Sequence, residues 1–514
     1  MDARKNSGMP RSLWVYSSAF FIAGAAACGE KSEDPFAGGG RGATSTGGDG
    51  GSAATMSGAS GSAMGGAGTA GTGVTGGAAG SGQTGGAAGG GSGGATAGDG
   101  GAAGGVSVSC TLTAMSSVSG AIPTVGVVTW STDLPGLTEA RVEFGLTTAY
   151  GMTAPVDLAQ PSYRTLLLGM KASRAYHFRV VARAGQNECA SADQTLMTGA
   201  LPGNVPTANR TTTDAAALAG GYLVGSISQG GSSFILDADG DIVWWFSTGN
   251  VSRAVLSADS QFMWVLATNQ AGGNPNVRRV AMDGTGGLEM HSEFGDAHHD
   301  LVVLPDDSVG FFQYYMSGRD RLMERAPDGM VRQIVDVPTA HGGVTNNHSN
   351  SLQYFAPDDS YTFSDLDQNC YVKVSRTGQV AWVLGGNTSD FTGPGATWTR
   401  EHGHHLLAAN RILFFNNGGQ GADSIAREVT LDLTAMTAAT TWMYAGGESS
   451  NTLGDVQRLW NGNTLITYSN AGTFHEVNAS GTLLQSITFS AGGGVGYATK
   501  RQSLYGPGPK QTPP

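Results

Sequence analysis

Three histidines, His299, His348 and His402, recur at one place in a repeated pattern, an arrangement that lets imidazoles act together on a single group. His299 stands five residues before Leu304 and His402 five before Leu407. Val251 and Gly454 hold the same place before Leu256 and Leu459, and His348 opens the equivalent run "HSNSLQY" one residue out of register. His298, His404, His405, Asp300 and Asn350 lie beside them, whereas His291, His341 and His475 fall outside the register. A neutral imidazole, with a reference pKa of ~6.5, is a nucleophile at pH 7; protonated it binds anions, and it is a common metal ligand. A lone histidine in a strand is usually structural, but three of the chain's 10 at one repeat position point to a site.

The elements that carry them repeat. From about residue 220 an apolar strand, a turn with Asp or Thr next to Gly and a second apolar strand recur six times, as in "FILDADGDIVWWF", "LMERAPDGMVRQIVDV" and "YVKVSRTGQVAWVL". Turn glycines at 240, 284, 329, 378 and 481 put adjacent units roughly 45 to 50 residues apart, the size of a four-stranded blade; the fifth unit, "EVTLDLTAMTAATTWMY", lacks the glycine. Between these hairpins lies a second set, "LVVLPDDSVGFF", "LQYFAPDDSYTF", "LLAANRILFF" and "QRLWNGNTLITY", with "AVLSADSQFMWVL" supplying one for the first blade. Two hairpins per unit predict an all-β, six-bladed β-propeller over residues 205–514. The first strand of a blade lines the central channel, so the histidines are expected at one mouth of it.

Residues 107–200 alternate apolar and polar positions in seven short runs, which predicts a two-sheet β-sandwich. Cys110 and Cys189 flank it and are expected to form a disulfide, leaving Cys370 as a buried thiol. Residues 29–106 are mostly Gly, Ala, Ser and Thr and cannot offset their ordering entropy; they read as a tether spanning roughly 45 Å. Residues 1–28 combine a basic start, an apolar stretch too short to span a bilayer and small residues directly before Cys28, the pattern of a secretory signal ending at a lipid-accepting cysteine. The expected location is therefore outside the cytoplasm, lipid-anchored at the cell envelope, with the outer membrane or cell surface as the default. A net charge of -12 and the lack of basic runs after the first dozen residues argue against nucleic acid as a partner.

The sandwich resembles fibronectin type III domains, with Trp130 at the core tryptophan and Tyr176 at the corner of "LLLGMKASRAYHFRVVA". The propeller resembles the aryl sulfotransferase family, six-bladed bacterial propellers that move a sulfuryl group from a phenolic sulfate ester to a phenol without a nucleotide donor. "HHDLVVLPDDS", "NHSNSLQY", "VKVSRTGQVAWVLGG", "EHGHHLLAANRILFFNNGG" and "GDVQRLWNGNTLITYSNAGTFHEVNASG" carry the resemblance, over essentially all of residues 210 to 505. It implies His402 as the transiently sulfurylated nucleophile, His299 and His348 as holders of the sulfuryl oxygens, and no cofactor. His298, Asn350 and His404 are the expected substrate-binding neighbours. The partners implied are a phenolic sulfate and a phenol. One departure matters: where the family has an arginine on the sulfuryl oxygens, "SDLDQNCYVKV" places Leu366, and Arg376 lies in an outer hairpin turn. Transfer of this kind relies on donors that stabilise charge on the peripheral oxygens. Two other readings of the same residues are a divalent metal held by the imidazoles with Asp300, Asp365 or Asp367, and a non-catalytic binding module at the cell surface.

Overall fold

The computed structural model describes residues 110–228, 231–267, 276–316, 319–419, 421–490 and 494–514. The signal segment, Cys28 and the glycine-rich tether lie outside the described residues.

The sandwich comes first. One sheet is formed by Leu112–Val118, Gly126–Thr132 and Thr165–Leu167, the other by Met152–Pro155, Glu139–Gly145, Ala175–Ala184 and Asn187–Ala190, with Gln194–Met197 also on Ala175–Ala184. Alternate residues from both sheets (Val128, Trp130, Val142, Phe144, Tyr176, Phe178) make its core. Cys110 is bonded to Cys189, with Cα atoms 6.2 Å apart, and Cys370 is a buried free thiol. The sandwich is docked, not merely strung, onto the propeller. Ile122, Val125, Leu166 and Leu168 share one apolar core with Val224, Ile235, Trp244 and Met263. At the edge of that contact the Lys171 ammonium lies 2.6 Å from both Asp239 and Asp241 and 3.2 Å from Asp237, filling the acidic turn of the first repeat.

Six sheets follow. The innermost strands are Thr499–Arg501 in blade 1, Val251–Leu256 in blade 2, Ala297–Val303 in blade 3, Ser349–Phe355 in blade 4, Glu401–Ala408 in blade 5 and Asp455–Arg458 in blade 6. Three further antiparallel strands follow outward from the innermost strand in blades 1 to 5, and four in blade 6. The turn glycines read from the sequence adopt left-handed backbone conformations, with φ of 83°, 72°, 90°, 88° and 80° at residues 240, 284, 329, 378 and 481. In the fifth hairpin Met436 takes that role at φ 52°.

The closure corrects the blade assignment. "AVLSADSQFMWVL" forms the inner pair of blade 2, not of blade 1. Blade 1 takes its innermost strand from the C-terminal end, Thr499–Arg501 pairing with Tyr222–Val224, while Ala208–Thr212 adds a fifth, outermost strand to blade 6 on Leu483–Phe489. The ring is thus tied twice, which fixes the channel that the histidines face. Among the described residues no helix is long and apolar enough to cross a membrane.

Candidate functional site

The inner strands deviate from regular pairing at one height. Register shifts interrupt the ladder between Val251 and Arg253 in blade 2, His298 and Leu301 in blade 3, Ser349 and Ser351 in blade 4, and Glu401 and His404 in blade 5. A bulge leaves residues unpaired and re-aims their side chains. In blade 3 the unpaired residues are His299 and Asp300, and His299 has φ 57°, left-handed for a non-glycine residue. In blade 5 the bulge contains His402.

His299 and His348 meet directly, Nε2 to Nε2 at 2.9 Å. His299 Nδ1 lies 2.7 Å from His298 Nδ1, and His298 Nε2 is 3.3 Å from Asp320 Oδ1. In each contact between imidazoles one nitrogen must be protonated and the other not, so the tautomers of His298, His299 and His348 are linked in one chain. Tyr314, half exposed, stacks on His298 with ring centroids 3.7 Å apart. The His348 amide donates to Asp365 Oδ1 at 2.9 Å, and its carbonyl accepts from the Leu366 amide at 2.9 Å.

His402 is oriented differently. Its Nδ1 lies 2.7 Å from Asn417 Oδ1. The Asn417 amide nitrogen donates to the carbonyls of Ser450 and Leu453 at 2.6 and 2.8 Å, which fixes which end of the amide is oxygen. Asn417 Oδ1 can therefore only accept, His402 Nδ1 carries the proton, and Nε2 keeps its lone pair. Burial holds the His402 imidazole down to about 3, against the Asn417 bond that favours protonation, with His348 and Arg400 adding to the depression. His299 is pulled well below the ordinary range by burial and then by His348, His298 and His402. His299 and His402 thus sit uncharged near neutral pH.

Three neighbours, His404, Asn350 and His405, do not join them. His404 engages both ring nitrogens, with Ser351 Oγ and Thr362 Oγ1, each at 2.8 Å. Asn350 donates to the Glu401 carbonyl at 2.9 Å and accepts from Ser364, tying blade 4 to blade 5. Both are seams between blades rather than substrate contacts. His298, for its part, faces His299 and orients it. His405 accepts from the Arg458 amide at 3.0 Å in the next seam. Asp300 holds Arg253 in a two-point ion pair at 2.6 and 3.0 Å, and Asp365 faces the His348 amide and His341, so these carboxylates are not turned to the imidazoles as metal ligands. The carboxylate group with ligand-like spacing among the described residues is Asp237, Asp239 and Asp241, where Lys171 sits. Arg376 is engaged by Glu324 and Asp306 at the outer face.

Beneath the histidines the channel is filled. Arg253 also reaches Asp455 at 3.1 Å and packs over the Tyr497 ring at 4.6 Å. From the opposite end the C-terminal segment inserts Lys510, whose Nζ reaches Asp455 Oδ1 at 2.5 Å and the His404 carbonyl at 3.0 Å. Burial pulls the Lys510 ammonium down while Asp455 opposes it. Breaking a buried pair from one side leaves an uncompensated charge, so Lys510→Met is expected to cost about 3 kcal/mol of stability, read as a lower urea midpoint. A midpoint equal to that of the unaltered chain would contradict the buried pairing.

The depressed imidazoles predict an acid limit. His298, His299, His402, His404 and His405 are all held down chiefly by burial. The unfolded chain, with ordinary values of ~6.5, takes up protons first as pH falls. The stability is therefore fully present above about pH 6.5 and lost as pH falls toward the folded values, each group contributing up to about 1.4 kcal/mol per pH unit. Calorimetry should give a Tm nearly level between pH 7 and 8 and falling steeply below about pH 6; a Tm unchanged down to pH 4 would rule out the buried neutral cluster.

Residues 312–495 match the arylsulfotransferase (ASST) family model. The arylsulfotransferase match runs from within blade 3 through blade 6 and takes in His348, Leu366, His402 and Asn417; His299 lies just before it, and the range is narrower than the resemblance read from the sequence. Solved structures similar to this chain include a functionally unknown protein from Desulfotomaculum acetoxidans DSM 771 (9% identity, TM-score 0.38, 64% of this chain and 96% of that one). They also include the Myceliophteria thermophila Cps50 (Swd1) β-propeller domain (10%, 0.35, 54% and 88%) and a chain of a nidogen/laminin complex (9%, 0.39, 55% and 99%). No curated protein matches this chain.

The sequence pointed to His299, His348 and His402 but missed Asn417, Tyr314, Arg253 and Lys510. Asn417 had a usable signal: it directly follows Asn416, which pairs with Glu401, the residue before His402, so the ladder brings the two close.

Proposed function

We propose that the propeller transfers a sulfuryl group from a phenolic sulfate ester to a phenolic acceptor through a sulfo-histidine at His402. The observation that carries this reading is the Asn417 anchor, which leaves Nε2 of a buried, neutral imidazole as the nucleophilic atom beside two further imidazoles. In the first half-reaction the Nε2 lone pair attacks sulfur, an N–S bond forms, the S–O(aryl) bond breaks and the phenolate leaves with the electron pair, taking a proton from the His348 end of the histidine chain or from solvent. In the second, the acceptor hydroxyl oxygen attacks sulfur, the N–S bond returns its pair to Nε2, and the phenolic proton re-enters the chain or the solvent.

The sulfo-imidazole ring carries positive charge while Nδ1 keeps its proton, so its bond to Asn417 Oδ1 becomes charge-assisted and strengthens in the intermediate. The sulfuryl oxygens take the place of the 2.9 Å contact between His299 and His348, each imidazole then donating to an oxygen. The protein is proposed to act outside the cytoplasm, anchored through lipid on Cys28. The direct test is transfer from 4-nitrophenyl sulfate to phenol by the purified chain; release of nitrophenol that needs no acceptor and yields free sulfate would instead indicate a hydrolase.

A further inference from the structure

The proposed transfer needs positive charge on the peripheral oxygens, and Leu366 supplies none. The turn that carries Leu366 is tied to the site on one side, the Leu366 amide donating to the His348 carbonyl at 2.9 Å and the Asn369 amide to the Leu366 carbonyl at 3.3 Å. On its other side the same turn reaches blade 5: Asn369 Oδ1 accepts from the Arg400 amide at 2.6 Å. Arg400 directly precedes the inner strand of blade 5, two residues before His402. It has φ 59°, and its carbonyl is held by the Asn417 amide at 3.1 Å and by Asn416 Nδ2 at 2.7 Å. A non-glycine residue in this region persists only where its surroundings fix it, as these three bonds do.

The Arg400 side chain is poorly occupied for a guanidinium. Its Nε is buried with no partner, and no ion pair engages it among the described residues. Its one hydrogen bond, from Nη2 to the Asn451 carbonyl, is 3.5 Å long, at the edge of a bond. It lies close enough to act electrostatically on His402 two residues on, on Asp367 in the Leu366 turn, and on Glu401. By contrast Arg253, the arginine inside the channel, is closed off by Asp300 and Asp455. A guanidinium presents a planar fork of donors suited to two oxygens of a sulfate ester.

We propose that Arg400 binds the sulfuryl oxygens in this site, reaching from blade 5 into the space where Leu366 of blade 4 provides no charge. This rests on the sulfuryl-transfer reading and specifies how an anion is held without an arginine at residue 366. Arg400→Gln is expected to lower kcat/KM for the sulfate ester about 10²-fold, with Arg400→Lys falling between it and the parent. Millimolar guanidinium should restore part of the Arg400→Gln rate but none of the His402→Ala rate. Inorganic sulfate, followed by calorimetry, should bind the parent at least about tenfold more tightly than Arg400→Gln. An active parent with Arg400→Gln within about twofold of it would overturn the inference and leave the transfer reading standing. If the parent transfers no sulfuryl group, the transfer reading falls, and sulfate binding alone decides Arg400: weakened binding in Arg400→Gln supports it, and equal binding overturns it.

Discussion

His402→Ala is expected to lower turnover of an aryl sulfate by at least about 10⁴-fold while leaving the propeller folded. The ring supplies the atom to which sulfur becomes bonded, and no neighbour can replace it. His404 has both nitrogens engaged with Ser351 and Thr362, and His299 is held between His298 and His348. Residual rate from positioning alone is expected, since oxygen-binding groups still act in the absence of a nucleophile. A His402→Ala protein that retained a tenth of the parent rate would move the nucleophile elsewhere. Because His402 titrates near 3, the parent rate should show no loss of nucleophile between pH 5 and 8, and any acid limb in that range belongs to another group or to unfolding.

Asn417→Ala is expected to cost about 10³ to 10⁴-fold in kcat, comparable to the loss when a catalytic histidine adopts the wrong tautomer in a hydrolase triad. Asn417 does not touch substrate; it positions His402. Its removal frees Nδ1 from its acceptor and lets the proton move to Nε2, where it occupies the lone pair that must attack. It also takes the Asn417 donor from the Leu453 carbonyl and one of two donors from the Ser450 carbonyl, where Ser424 Oγ remains, so some loss of stability is expected, about 1 to 3 kcal/mol. Nitrogen NMR of the His402 ring separates the two effects. The parent should show Nε2 unprotonated and Nδ1 protonated at pH 7, and Asn417→Ala should show a mixture. A folded Asn417→Ala protein with the parental tautomer and a lower rate would confine the role to packing.

The propeller was legible because five of its six glycine-turn hairpins carry their own marker. Gly240, Gly284, Gly329, Gly378 and Gly481 stand where a left-handed turn residue is required, and apolar runs flank them. Closure was not legible, because the three-residue strand Thr499–Arg501 has too few positions to show alternation and its partner, Tyr222–Val224, lies at the other end of the propeller sequence. The site was legible only as far as register goes. His299 and His402 share a strand position, which sequence spacing records; the bulges that turn them into the channel leave no periodic signal. Asn350 and His404 were grouped with them by proximity in sequence, yet their side chains enter the seams between blades and pair there. Arg400 and Lys510 escaped notice for the converse reason: a strained turn between strands and a C-terminal segment follow no repeat.

The most direct test of the account is to mix the purified protein with 4-nitrophenyl sulfate in the absence of acceptor, quench under alkaline conditions that spare an N–S bond, and map the modified peptide by mass spectrometry. One sulfuryl group on His402 is expected, formed with release of one nitrophenolate and discharged when phenol is added. A sulfuryl group found on any other residue, or nitrophenol released with no labelled peptide that phenol can discharge, would contradict it.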